Sequence, residues 1–279
     1  MMSWFSGVLR VVIPYGFPAL GGAWAERSGL VTLCLEGALL LGAFVYAGVD
    51  IATGSAVCAL LAALLSGAAF GGLHAWLVSR ARVDAVVSGI ALNAAVYGAT
   101  RVGLKVLYGS SSNSPGTTQN IAHSMVVPAL ALLLVVGALG SDRVLARTGV
   151  GLRVRAAGDG SEAARAVGVS PERVRSFASA WACGLAALGG VALVADVHRF
   201  QSGMSAGRGF LALVAIVIAG NRPGRAVLVA TSFGLLELLS GRFQGAVPRL
   251  AEWVPALPYV AALLVVAWPK RAGPHATRS

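Results

Sequence analysis

The chain has 279 residues, 57% of them hydrophobic and 12% charged, at a mean hydropathy of +0.77; soluble domains carry about 25% charged residues, which argues against a soluble fold. The formal net charge is +11, from 22 Lys plus Arg against 11 Asp plus Glu. The Arg residues sit in short connectors between apolar blocks rather than along one amphipathic face, a placement that sets membrane orientation and speaks against nucleic-acid binding.

Runs of about 18 or more nearly uncharged residues signal membrane-spanning helices. In chain order, nine spans are predicted, over 8–24, 30–48, 54–78, 84–100, 124–140, 177–195, 209–220, 226–240 and 254–268. Within the first, Ala23-Trp24-Ala25 imitates a signal-peptidase site. No positive n-region precedes it, and Pro14 and Pro18 interrupt the apolar stretch, so an uncleaved span is expected. The block 209–220 reaches only about 18 Å as a helix, against a hydrocarbon core of about 30 Å, and is expected to be re-entrant or broken. The fold class is thus all-α: a single polytopic membrane helix bundle over residues 1–279, with about 8–10 transmembrane helices. The 36 Gly allow its helices to approach closely.

If the C-terminal tail is cytoplasmic, 15 of the 22 Lys and Arg fall on inside connectors. Arg10, Arg101, Lys105, Arg199, Arg208, Arg242 and Arg249 then lie outside or at external span ends, and the N-terminus is external. The connector 105–123, with Gly109-Ser110-Ser111-Ser112-Asn113-Ser114-Pro115-Gly116, reads as an external flexible loop. The connector 141–176 contains Ser161-Glu162-Ala163-Ala164-Arg165-Ala166-Val167-Gly168, a Ser N-cap candidate followed by good helix formers and a Gly stop. It predicts a short helix on the cytoplasmic face, bracketed by Arg153, Arg155, Arg173 and Arg175.

Ionisable groups are expensive in a bilayer, so each is a functional candidate. Glu36 lies about 10 Å into the second span, and Glu237 lies in the eighth. Either glutamate belongs to a solute or coupling path, or it caps a neighbouring helix and holds the bundle together. Asn93, with Ser88 and Gly89 about a turn nearer the cytoplasm, can bind a hydroxyl-rich solute or join two helices. Phe44, Tyr46, Tyr97 and Phe200 lie toward external span ends, where their rings can stack a base or sugar or form an interfacial belt. His74, beside Trp76, has no second metal-type ligand spaced with it and reads as a packing residue. Cys34, Cys58 and Cys183 fall inside apolar blocks without metal spacing and read as small buried hydrophobes. No phosphate-cradling Gly-x-x-x-x-Gly-Lys-Ser/Thr loop is present, so ATP hydrolysis by that route must come from another subunit. The paired groups that an intramembrane enzyme would need are missing as well.

Several segments resemble the permease subunits of nucleoside and simple-sugar ABC importers, within the branched-chain amino acid and ribose permease superfamily. They are Glu26-Arg27-Ser28-Gly29-Leu30-Val31-Thr32-Leu33-Cys34-Leu35-Glu36-Gly37 with Leu41-Gly42-Ala43-Phe44, Val87-Ser88-Gly89-Ile90-Ala91-Leu92-Asn93, Gly151-Leu152-Arg153-Val154-Arg155-Ala156-Ala157-Gly158 running into Glu162-Ala163-Ala164-Arg165 and Gly168, Gly209-Phe210-Leu211-Ala212-Leu213, and Leu257-Pro258-Tyr259 with the basic tail. They occur in order from about residue 14 to 275. Thr32 and Cys34 depart from the family's usual Asn and Gly. The resemblance implies import of a small polar solute across the plasma (inner) membrane by alternating access. It implies as partners a cytoplasmic ATPase that binds ATP and Mg, an external substrate-binding lipoprotein, and a second, longer permease in a heterodimer; the chain itself would hold no cofactor or metal. It also implies that 141–176 is a coupling loop, in which Arg153, Arg155, Glu162, Ala163, Ala164 and Gly168 form or flank a coupling helix that docks on the ATPase. Glu36, Phe44, Ser88, Asn93 and Tyr97 are the candidates for the solute path. Branched-chain amino acid permeases keep a similar Gly-Leu-Arg and Glu-Ala-Ala pattern and supply the alternative solute.

Overall fold

The computed structural model describes residues 2–119, 121–246 and 260. Among these residues the chain forms the helices α1 (Met2–Arg27), α2 (Leu35–Thr53), α3 (Ala56–Ser79), α4 (Ala85–Tyr108), α5 (Ile121–Ser124), α6 (Val126–Arg147), α7 (Gly149–Asp159), α8 (Ser161–Ala166), α9 (Pro171–Val197), α10 (Arg208–Ile218) and α11 (Pro223–Ala246). The β-type pairing described is one isolated bridge, Asn113 to Gln201. Among the described residues, six helices are long and apolar enough to cross a membrane: Gly7–Arg27 of α1, then α2, α3, α4, α6 and α9. The chain is a multi-pass membrane helix bundle. The predicted block 226–240 lies in α11. The block 254–268 and the Leu257-Pro258-Tyr259 segment lie outside the described residues.

Helix α9 is the axis of the bundle. It packs chiefly against α1, α2 and α3, and 83% of its most apolar window is buried. Lipid tails are as apolar as leucine, so membrane helices associate through close packing, which small residues allow. The run Cys183-Gly184-Leu185-Ala186-Ala187-Leu188-Gly189-Gly190 is buried throughout. A Cβ on Gly21 would stand 2.7 Å from the Ala182 Cα, and one on Gly67 would stand 2.5 Å from the Ala187 Cβ. By contrast α4 and α6, each with 22% of the window buried, turn most of their apolar surface outward.

The two ends of the bundle differ in chemistry. At one end, the connector expected to be a flexible loop is tied down. Helix α4 runs on to Tyr108, and Gly109 then caps it in the left-handed region at φ 72°. The following strand of chain pairs with the α9–α10 connection: the Ser114 N–H donates to the Phe200 carbonyl at 3.0 Å, Thr117 to His198 at 2.8 Å, and Ser202 to Ser112 at 2.8 Å. Asp50, fully buried at the end of α2, accepts the Thr118 N–H at 2.8 Å and pairs with His123. A buried carboxylate must find donors, and here the loop supplies them. The other end carries α7, α8 and an abundance of arginine.

Candidate functional site

Two helices begin inside the bundle rather than at its surface. The second predicted span starts at residue 30, yet α2 starts only at Leu35. Residues 28–34 leave the end of α1 as irregular backbone, turning at Gly29 with φ 80°. Irregular backbone at membrane depth is tolerated where protein groups satisfy it, and side chains from α3 and α4 do so here. The Val31 carbonyl can only accept, so His74 Nε2 donates to it at 3.0 Å; in the neutral ring Nδ1 then accepts from Ser88 Oγ at 3.0 Å. Asn93 closes the gap by donating Nδ2–H to the Leu33 carbonyl at 2.9 Å and accepting the Gly37 N–H on Oδ1 at 2.8 Å.

Helix α10 is the second interrupted element. Its 11 residues span about 16 Å. Its free N-terminal amides meet Glu36 on the first turn of α2: Gly207 N–H donates to Oε1 at 2.8 Å and Gly209 N–H to Oε2 at 2.7 Å. A carboxylate at a helix N-terminus satisfies orphan donors and meets the positive end of the helix dipole. Gly209 is required by the approach, since a Cβ there would lie 2.6 Å from the Glu36 backbone.

Arg208, placed at an external end by charge counting, is the first residue of α10 and faces the bundle. Its partner lies 29 residues away and is not visible from local sequence: Arg208 pairs with Glu237 of α11, donates Nη1–H to the Met204 carbonyl at 2.8 Å, and sits 5.9 Å from the Tyr15 ring centre. Tyr15 in turn donates its hydroxyl to Glu237 at 2.6 Å. The second glutamate therefore joins α1, α10 and α11.

The five solute-path candidates thus fall into two groups. Asn93 and Glu36 hold backbone at the break and at the start of α10, and Ser88 holds the His74 ring that caps Val31. Tyr97, one turn beyond Asn93 on α4, keeps 47% of its surface exposed and has the Arg101 guanidinium 5.8 Å from its ring centre. Phe44 packs edge-on against the buried Phe200, with ring centres 5.3 Å apart. Of the cysteines, Cys34 and Cys183 are buried with their sulfurs 3.5 Å apart, whereas Cys58 is exposed, contrary to expectation. No cluster with metal-ligating geometry occurs among the described residues.

At the Arg-rich end, α8 occupies the predicted short-helix position. Ser161 is its first helical residue rather than its cap; Gly160 holds the cap position, and Ser161 Oγ instead accepts from Arg175 Nη2 at 2.9 Å. Arg175 also donates to the Ser28 and Ala157 carbonyls, at 3.2 and 3.3 Å, so one guanidinium ties α9 to the ends of α1 and α7. Ala164 is buried, Glu162 and Ala163 face outward, and Gly168 ends the segment at φ 80°. Arg165 pairs with Glu172, and this hydrogen bond raises the guanidinium pKa above its ordinary value. Arg153 lines a small cavity of about 240 Å³ with Arg173, and Arg155 donates to the Ala146 carbonyl at 3.3 Å.

The sequence pattern of the family described as "Branched-chain amino acid transport system / permease component" matches residues 4–266. The chain belongs to this family. It is therefore the multi-pass permease subunit of an ABC importer, and membership implies a partner ATPase and a substrate-binding protein. Its relatives include the guanosine ABC transporter permease protein NupQ of Bacillus subtilis, 30% identical over 84% of this chain and 82% of the relative. The nucleoside ABC transporter permease protein NupC of Lactococcus lactis is 29% identical over 91% and 88%. A putative glucose ABC transporter permease protein, TsgC13 of Haloferax volcanii, is 28% identical over 87% and 79%. In this permease the α1–α2 break lies beside the short helix α8, because Arg175 of α9 joins the Ser28 carbonyl to Ser161.

Proposed function

We propose that the permease imports nucleosides, or a related sugar-containing solute, by alternating access. The names of two relatives, each matched over more than four-fifths of its length, support the nucleoside assignment. ATP and Mg are bound and hydrolysed on the partner ATPase, and this chain contributes no ATPase site, metal or cofactor. A second, longer permease completes the pathway as a heterodimer with this one.

The observation that carries coupling is the outward face of α8. Ala164 anchors the helix while Glu162 and Ala163 stand free of the bundle. In the proposed mechanism α8 is the coupling helix and sits in a groove of the ATPase. Arg153 and Arg155 supply positive charge beside it, and electrostatic complementarity guides such docking. Motion of α8 reaches α1 and α9 through Arg175. On the solute side, Tyr97 and Phe44 provide ring surfaces, while Glu36, Ser88 and Asn93 set the positions of the helices that carry them.

Whole-cell uptake with competing solutes tests the assignment. Labelled guanosine uptake that falls with excess unlabelled nucleoside and is indifferent to leucine is the expected result. The family description favours branched-chain amino acids as the second reading; uptake of leucine, with none of nucleosides, would replace the first.

A further inference from the structure

A cavity of about 680 Å³ opens at the Arg-rich end, between α6, α7 and the turn from α10 into α11. Four arginines from three parts of the chain line it: Arg27 at the end of α1, Arg155 of α7, and Arg222 and Arg225 at the start of α11. Asp142 is the one acid in the lining, and it already accepts the Gly224 N–H at 3.3 Å. Arg155 Nε is buried without a hydrogen-bond partner. A buried guanidinium N–H without an acceptor is costly, and three uncompensated positive charges around one space call for an anion.

The walls indicate which anion. On α6, Leu132, Val135, Leu139, Asp142 and Ala146 fall at helical spacing on one face, and the first three are exposed by 66%, 54% and 65%. An apolar stripe facing lipid thus runs directly into the charged cavity. We infer that the cavity is a binding site for the phosphate headgroup of an anionic phospholipid, with an acyl chain lying along the exposed stripe of α6. Guanidinium groups match phosphate oxygens in bidentate geometry, and basic pockets between transmembrane helices are suited to such headgroups. The site shares Arg155 with the flank of α8 and includes the turn that ends α10, but it takes a ligand other than the solute or the ATPase and so goes beyond the transport reading. Its occupancy would join the ends of α1, α6, α7 and α11.

The test uses the full-length chain, purified with its co-purifying subunits, in nanodiscs of phosphatidylcholine with or without phosphatidylglycerol. Native mass spectrometry reads retained lipid, and thermal denaturation reads stabilisation. Retention of phosphatidylglycerol over phosphatidylcholine, weakened about 30-fold in Arg222→Gln/Arg225→Gln, is the expected result. Arg80→Gln/Arg82→Gln, which removes two exposed arginines outside the cavity, should leave retention unchanged. Equal retention in the cavity variant, or equal loss in the control, would overturn the site. Stabilisation by inorganic phosphate in pure phosphatidylcholine discs, without any effect of phosphatidylglycerol, would assign the cavity to a soluble phosphate and overturn the lipid source. Arg155→Gln provides a second cavity variant if the double substitution impairs folding.

Discussion

Glu36 uses both oxygens on backbone amides of α10, so its substitution by the isosteric amide is informative. Glutamine has one accepting oxygen, and its NH2 cannot receive an N–H. In Glu36→Gln either Gly207 or Gly209 loses its acceptor, a loss of about 1–3 kcal/mol. A lower melting temperature in detergent with insertion preserved is expected; unchanged melting would show that the fork is dispensable. Tyr97 poses the opposite case, because its ring leaves about half of its surface open. Stacking of a base on an aromatic ring contributes about 1–3 kcal/mol. Tyr97→Ala should therefore raise the KM for nucleoside uptake about tenfold or more with melting unchanged, while Tyr97→Phe should transport normally. A KM unmoved by Tyr97→Ala would remove this ring from the solute path.

Among the elements, α8 is the one whose role is most exposed to test. Gly168 closes it in the left-handed region at φ 80°, which costs a β-branched residue roughly 1–2 kcal/mol. The strain is local and lies outside the bundle. Glu162→Ala/Gly168→Val should abolish uptake while membrane insertion and melting stay near those of the parent chain; normal uptake would move coupling elsewhere. Long helices such as α3 and α6 were legible in the sequence because about 20 apolar residues have few other solutions in a membrane. The short reach of α10 was legible too. The break at 28–34 was not, since Leu30, Val31 and Leu33 are as apolar as the helix that follows. What interrupts them is Gly29 and the groups that receive their backbone, His74 and Asn93, which arrive from α3 and α4. Asn93 and Glu36 were recognisable as functional candidates, but the amides they bind belong to other parts of the chain. Ser161 misled for a similar reason: as a cap candidate it was judged by its neighbours, whereas its hydroxyl answers to Arg175 of α9.

The whole bundle has one loop-bearing end and one arginine-bearing end, and the positive-inside rule places the second in the cytoplasm. Impermeant thiol labelling of intact cells can check this. Ser111→Cys lies in the loop pinned near Phe200, and Val167→Cys lies just after α8, where Val167 is 75% exposed. In a chain with Cys58 replaced by Ser, the first should react from outside and the second only after permeabilisation. The reverse pattern would invert the topology and, with it, the docking side of α8.

The hold of Glu36 on α10 has an evolutionary consequence. Main-chain amides are present whatever the side chain, so the joint asks of α10 only that position 209 stay small. Exposed positions of that helix such as Phe210 and Val217 can drift without loosening it, whereas Arg208 and the buried Leu211, Ala212, Ala215 and Ile216 stay tied to the bundle. A fold pinned through its backbone can change its diet while keeping its mechanics, and the spread of nucleoside and glucose permeases among its relatives is the pattern such an arrangement permits.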